Sequence, residues 1–128
     1  MKVNKELFSK FGIDCKRYSD FIESLEDGEG NSVHHIYPKA LFNSDEVIHI
    51  TREHHTMAHI LLALDCSKAP ITPETSKIIG GAEARLCFDK ETVIEPELLE
   101  EVRQVVQKAK SLKVKIQWSN SETREKMN

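Results

Sequence analysis

The sequence predicts an α+β fold: a single, mainly helical domain with a short two-stranded β-hairpin. Its 128 residues are one domain's worth, and its 39% apolar and 30% charged residues are typical of a globular protein. Apolar side chains recur at helical spacing over most of the chain, whereas two short β-branched runs lie nearer its middle. No apolar run approaches the roughly 18 residues that a membrane-spanning helix needs, so we expect no membrane segment.

Residues 1–30 are expected to form a helical N-terminal segment in two pieces. Gly12 ends the first piece, and the glycine-containing stretch 27–31 ends the second with a turn. Each piece has one apolar face that can pack on a core. These faces are Leu7, Phe8 and Phe11 in the first helix, and Tyr18, Phe21, Ile22 and Leu25 in the second.

Residues 31–66 are expected to form a strand, a loop, a second strand and a helix. The runs Ser32–Ile36 and Val47–Ile50 are the strands, and Pro38 stops the first because proline has no N–H for strand pairing. Thr51 is a good N-cap, so a helix should begin directly after the second strand. Its expected core stripe is Met57, Leu61 and Leu64.

Residues 67–128 are expected to form the helical C-terminal part of the same domain. Thr72-Pro73 supplies a cap and a first-turn proline for one helix, and a second helix runs from about Pro96 to Leu112. Ser119 would begin a final short helix. The second of these helices repeats apolar residues at near-heptad spacing, which fits packing on the domain's own core or, alternatively, a dimer seam. Those residues are Leu98, Val102, Val105, Ala109 and Leu112.

Cysteine usage and the N-terminal residues favour a cytoplasmic location. Cys15, Cys66 and Cys87 are odd in number and far apart, which argues against a disulfide framework. The first ten residues are largely polar, unlike a signal peptide. We therefore expect reduced thiols inside a cell.

The distribution of histidines indicates a chemical site. All six lie between positions 34 and 59. His55 and His59 are four residues apart on the expected helix, so both imidazoles can reach one metal ion. His34 and His35, at a strand end near Pro38, can supply a third ligand and a catalytic base. Cys66 fits the core better than the site, because a fourth protein ligand would leave no position for water.

Two other histidines are expected to lie away from this site. His49 alternates with Ile48 and Ile50 along the second strand, so it should be exposed or hydrogen-bonded on the opposite side, with a phosphate contact as the alternative. His54 lies off the face that His55 and His59 share, so we expect it to be exposed to solvent.

The motif made by these residues resembles the HNH endonucleases, and most closely the small phage-type homing enzymes. Its parts are His34-His35-Ile36 with Pro38, a loop, a short strand, and Thr51-x-Glu53-x-His55-x-x-x-His59. The resemblance implies a ββα-metal motif over residues 31–66 and hydrolysis of DNA phosphodiester bonds. It implies that His34, His55 and His59 hold one divalent metal ion and that His35 is the general base. A phage-encoded enzyme would act in the cytoplasm of a bacterial host.

An all-imidazole ligand set favours Zn²⁺, Ni²⁺ or Mn²⁺ over Mg²⁺, which prefers oxygen, although Mg²⁺ stays among the candidates. The chain departs from the family at one position. The family's central asparagine, nine residues before the first helix histidine, corresponds here to Glu46, so the resemblance implies a catalytic-site role for Glu46. An ionised glutamate only accepts hydrogen bonds, and it could hold the base loop differently or not at all. Asn43 is the alternative partner.

Charge distribution suggests where double-stranded DNA would bind. The net charge of −3 does not by itself indicate a nucleic-acid-binding protein, but residues 102–117 contain five cations and no acid. A solvated helix face is the alternative explanation of that strip, and Trp118 beside it could stack a base or anchor the core. The candidate phosphate contacts are Lys39 and Arg52 beside the histidines, and Arg103, Lys108, Lys110, Lys113 and Lys115 in the strip.

Two further functions compete with the nuclease. One is a catalytically degenerate HNH-like module that binds DNA or a host protein, which the glutamate at position 46 favours. The other is a structural zinc protein in which a fourth group closes the metal site. A small nuclease of this kind can also act as a homodimer.

Overall fold

A computed structural model describes the backbone of residues 2–127 and the side chains of residues 2–112. The described backbone is mostly helical, with five helices and one two-stranded antiparallel sheet, which confirms the expected α+β class. The elements are α1 (Lys5–Ser9), α2 (Lys16–Glu23), β1 (Ser32–His35), β2 (Val47–Ile50), α3 (Arg52–Cys66), α4 (Pro73–Phe88) and α5 (Pro96–Met127). Within those residues, no helix has the length and apolarity needed to cross a membrane.

The β-hairpin leads directly into α3. His34 pairs with Ile48 and His35 pairs with Val47, and the pairing extends one step further because the Ile36 N–H donates to the Glu46 carbonyl. Thr51 is the N-cap of α3, as expected, and its side chain accepts a hydrogen bond from the His54 N–H. The cap therefore fixes the point at which the chain turns from strand to helix.

The core has two parts, and α3 contributes to both. One part joins α1, α2 and the hairpin to α3, with Phe8, Tyr18 and Ile48 among its buried residues. The other part lies between α3, α4 and α5, around Ile79 and Val102. Because α3 packs on both sides, the expected core stripe of that helix is only partly right. Leu64 is buried, Met57 and Leu61 are half-buried, and Ala58, Ile60, Leu62, Ala63 and Cys66 are also buried.

Helices α4 and α5 follow their sequence signals, with one exception. Thr72 and Thr75 form a capping box at the start of α4, and the helix continues through Gly80 and Gly81. The expected break before Ser119 is wrong, because α5 runs unbroken to Met127 and has no glycine or proline after its first residue. The apolar stripe of α5 packs on the chain's own core, with Val102 and Ala109 buried.

Candidate metal centre

Three imidazoles meet where the hairpin contacts α3. His34 comes from β1, and His55 and His59 come from adjacent turns of α3; we call these three residues the histidine cluster. One ring nitrogen from each lies within 4.8 Å of the other two, so the three can share one metal ion. The ring centroids are 4.9–5.2 Å apart. The strand–loop–strand–helix order therefore assembles the ligand set that the sequence predicts.

Hydrogen bonds fix which nitrogen of His34 carries its proton. The Tyr18 hydroxyl lies 2.6 Å from the Ile36 carbonyl, which can only accept, so the hydroxyl donates its single proton there. The hydroxyl is also 2.8 Å from Nε2 of His34, and it must accept from that nitrogen. Burial raises the pKa of Tyr18 above its ordinary value, so the phenol stays protonated. Nδ1 of His34 therefore presents a lone pair, and this buried atom has no hydrogen-bond partner among the described residues.

The two helix histidines face each other through their Nε2 atoms. Nδ1 of His55 lies 2.5 Å from the Ser32 hydroxyl, which directs Nε2 of that ring into the cluster. The Nε2 atoms of His55 and His59 are 3.1 Å apart. Two nitrogens bound to one tetrahedral Zn²⁺ at about 2.0–2.1 Å are about 3.3 Å apart. The pair is thus spaced to bind one ion, and the orphaned Nδ1 of His34 completes a ligand set that fits it.

The cluster is neutral at physiological pH. Burial lowers the pKa of His34 to about 2, with a further contribution from the neighbouring histidines. Burial also lowers the pKa of His55 and His59 to about 4, with the positive charge of Arg85 adding to the effect. Metal ligation requires deprotonated imidazoles, and these rings hold their lone pairs without any proton to displace near pH 7.

A cavity of about 230 Å³ opens over the histidine cluster, and His35 lines it as well. His34 is buried and His35 is exposed, as alternation along a strand requires. Both rings nevertheless reach one cavity because β1 ends at His35. Pro38, Lys39, Lys77 and Gly81 are among the other lining residues. The cavity leaves room for water or a small ligand beside the cluster and the exposed fourth ring.

The Glu46 side chain does not hold His35. Its carboxylate is exposed, and the contact with the base loop runs through the main chain, where the Glu46 carbonyl accepts the Ile36 N–H at 3.1 Å. Asn43 is also exposed and makes no side-chain hydrogen bond to the described residues. Neither candidate therefore supplies the side-chain support that the resemblance implies at this position.

The two cations expected beside the histidines are both paired with acids. The Lys39 ammonium lies 2.7 Å from the Asp45 carboxylate. Arg52 does not line the cavity, and its guanidinium lies 2.7 Å from Glu91 and 3.3 Å from Asp89. Acids thus neutralise both cations, and their predicted phosphate contacts stay predictions.

For the basic strip of α5, the structure describes the side chains of three of the five cations. Arg103 and Lys108 are exposed, Lys110 is paired with Glu83, and none of these three cations lines the histidine cavity. The side chains of Lys113, Lys115 and Trp118 lie outside the described residues, so their predicted roles stay predictions.

Two cations that the sequence analysis missed come from α4. Lys77 lines the histidine cavity, and the charge of Arg85 acts on all three rings of the cluster. Gly81 lies midway between them, and a Cβ built there would be 3.6 Å from Nδ1 of His59. The sequence shows that residues 77, 81 and 85 lie on one face of a capped helix. It does not show that this face packs against α3.

Outside the cluster, the other site candidates have structural roles. His49 is exposed and its N–H donates to Asp27, as expected for a residue facing away from Ile48 and Ile50. The side chain of His54 is 40% exposed, as expected, although it also contacts the Phe21 ring and bonds to Glu29. Cys66 is fully buried in the core, as predicted.

Comparison with protein-family models, curated proteins and solved structures finds no match to this chain.

Proposed function

We propose that this chain is a metal-dependent DNA endonuclease of the HNH type. The observation that carries the proposal is the meeting of three neutral imidazoles, beside an exposed fourth ring, in one cavity. The order β1, β2, α3 supports interpretation of residues 31–66 as a ββα-metal motif. The cytoplasm of a bacterial host, with phage origin, is the location that fits this activity.

The residues of the cavity have different roles in the proposed phosphodiester hydrolysis. His34, His55 and His59 would hold one divalent cation, with Zn²⁺, Ni²⁺ or Mn²⁺ favoured by the nitrogen ligands over Mg²⁺. The cation supplies positive charge that stabilises the phosphate and the departing 3′ oxygen. His35, which is exposed and lines the cavity, takes a proton from the attacking water. Three protein ligands leave a coordination position for substrate, which favours a catalytic over a structural zinc site.

A second candidate function is supported by the position of Glu46. An HNH-like module that binds DNA or a host protein without cutting would not need its base loop held by a side chain. The exposed Glu46 carboxylate and the absence of a hydrogen bond between the His35 ring and the described residues favour this candidate. The two functions share the metal centre and differ only in turnover.

A plasmid-cleavage assay separates the two functions. The purified chain is incubated with supercoiled DNA and Mn²⁺, Ni²⁺, Zn²⁺ or Mg²⁺, alongside His35→Ala and His49→Ala as a matched control. We expect nicked or linear product with at least one metal, no product from His35→Ala, and wild-type rates from His49→Ala. Absence of product with every metal, from protein shown by circular dichroism to be folded, refutes the nuclease. If the same sample still binds metal, the result would favour the second candidate, an HNH-like module that binds without cutting.

A further inference from the structure

The cations near the histidine cluster differ in whether acids neutralise them. Lys39 and Arg52 each contact carboxylates. Neither Lys77 nor Arg85 lies within 4.0 Å of a carboxylate oxygen of the described residues. A cation without an acidic neighbour keeps its full charge for an anionic ligand. Among the described cations near the histidine cluster, the two without an acidic partner therefore both lie on α4.

Neutral groups hold Arg85 in place. Its guanidinium donates to the Thr56 hydroxyl at 3.2 Å and to the Arg52 carbonyl at 3.5 Å. The Thr56 hydroxyl in turn donates to Asp89, and Asp89 is already bonded to Thr92 and Arg52. Arg85 is thus fixed next to Thr56, one residue after His55, by acceptors that carry no net charge, and unlike Lys77 it lies outside the residues that line the cavity. Its Nε–H is buried and has no hydrogen-bond partner among the described residues, which is uncommon for a buried polar group.

The face of α4 that carries these cations is shaped for close approach. Lys77, Gly81 and Arg85 follow one another at intervals of one helical turn. Glycine at the middle position has no side chain, whereas a Cβ there would lie 3.6 Å from Nδ1 of His59, in van der Waals contact with the ring. An extended anion can therefore pass across the cluster with one cation on either side of it.

We propose that Lys77 and Arg85 bind the two phosphates of a DNA strand that flank the phosphate at the histidine cluster, with Gly81 leaving space for that central phosphate. This assignment rests on the proposed function, because it names the side of that site to which the DNA backbone binds. It moves the phosphate contacts from Arg52 and the α5 strip to α4. A net charge of −3 makes such local contacts necessary, since the whole molecule does not attract DNA.

The salt dependence of DNA binding tests this proposal. Fluorescence anisotropy with a labelled 20-base-pair duplex is measured in the presence of Zn²⁺, in a His35→Ala background that prevents cleavage. Each phosphate contact contributes about 0.9 to the slope of log affinity against log salt concentration. We expect Lys77→Gln and Arg85→Gln each to reduce the slope by about 1, and the double variant to reduce it by about 2. Lys10→Gln, at an exposed position that does not line the cavity, is the matched control and should keep the parental slope.

Arg85→Lys separates charge from fold, because it keeps the cation while changing the bonds to Thr56. It should preserve most of the slope if circular dichroism shows native helix content. Unchanged slopes in both α4 variants, or an equal loss in Lys10→Gln, overturn the proposal. Loss confined to Lys108→Gln would also overturn it, by assigning the contacts to α5. If the parent binds no DNA, both this proposal and the nuclease fail; if plasmid is cut while the α4 slopes stay unchanged, only this proposal fails.

Discussion

Replacement of Tyr18 by phenylalanine tests how the chain prepares its metal ligands. The substitution removes one hydroxyl and keeps the ring, which packs edge-on against Phe8 at a centroid distance of 6.0 Å. The lost oxygen now bonds both the Ile36 carbonyl and Nε2 of His34. Without it, His34 loses the contact that keeps its proton on Nε2 and its Nδ1 lone pair facing the cluster.

Two effects of Tyr18→Phe follow from those bonds. Two buried groups lose a partner, and at about 1–3 kcal/mol each the free energy of unfolding should fall by about 2–6 kcal/mol. Loss of a partner that orients a ligating histidine typically weakens metal binding by about 10–100-fold, and we expect Zn²⁺ affinity to fall within that range. Competition with a chromophoric chelator measures the affinity under conditions in which circular dichroism shows the variant to be folded.

Tyr37→Phe is the matched control for this experiment. Tyr37 is also buried, and its hydroxyl accepts the Asn4 N–H at 2.8 Å, away from the histidine cluster. Its loss should destabilise the fold by about 1–3 kcal/mol and leave Zn²⁺ affinity unchanged. Wild-type affinity in Tyr18→Phe, or equal weakening in both variants, would refute the role given to the Tyr18 hydroxyl.

Three further predictions follow from the structure. Burial lowers the pKa of His55 and His59 to about 4 from an ordinary 6.5, so between these pH values the unfolded chain binds more protons than the folded chain. The metal-free protein should therefore lose about 1–2 kcal/mol of unfolding free energy per ring as the pH falls from 7 to 5. Equal denaturant midpoints at the two pH values would contradict this. Gly30→Ala would place a Cβ 2.4 Å from the backbone of β2 and should lower the melting temperature sharply, whereas Gly80→Ala, with open space around its Cβ, should raise it or leave it unchanged. Because its carboxylate is exposed, Glu46→Asn should change the rate of plasmid nicking by less than the 10–100-fold typical of an orienting residue; activity gained from an inactive parent would instead support the degenerate module.

The hairpin and α3 were predictable because their signals are local. β-branched runs, Pro38 and the Thr51 cap each act within a few residues, and helical spacing alone puts His55 and His59 on one face. The histidine cluster follows once the hairpin brings His34 to α3. These expectations needed no knowledge of how the helices pack.

The surroundings of the cluster depend on contacts that local patterns do not encode. Tyr18 reads as an apolar position of α2, and its bond to His34 exists only because α2 packs against α3. Arg52 is predicted as a phosphate contact, and its pairing with Asp89 and Glu91 depends on how the end of α4 lies beside α3. Arg85 reaches the cluster because α4 folds back along α3, which helical periodicity cannot indicate. Contacts between side chains of different helices were therefore not predicted from the sequence.

The six histidines provide the most direct test of the central claim, that one cation binds at three particular rings. Isothermal titration with Zn²⁺ should give one ion per chain, with affinity greatly reduced in His34→Gln, His55→Gln and His59→Gln. His49→Gln and His54→Gln change rings outside the cluster and should retain the stoichiometry and affinity of the parent. Equal weakening in all five variants, or tight binding that survives loss of a cluster ring, would contradict the claim.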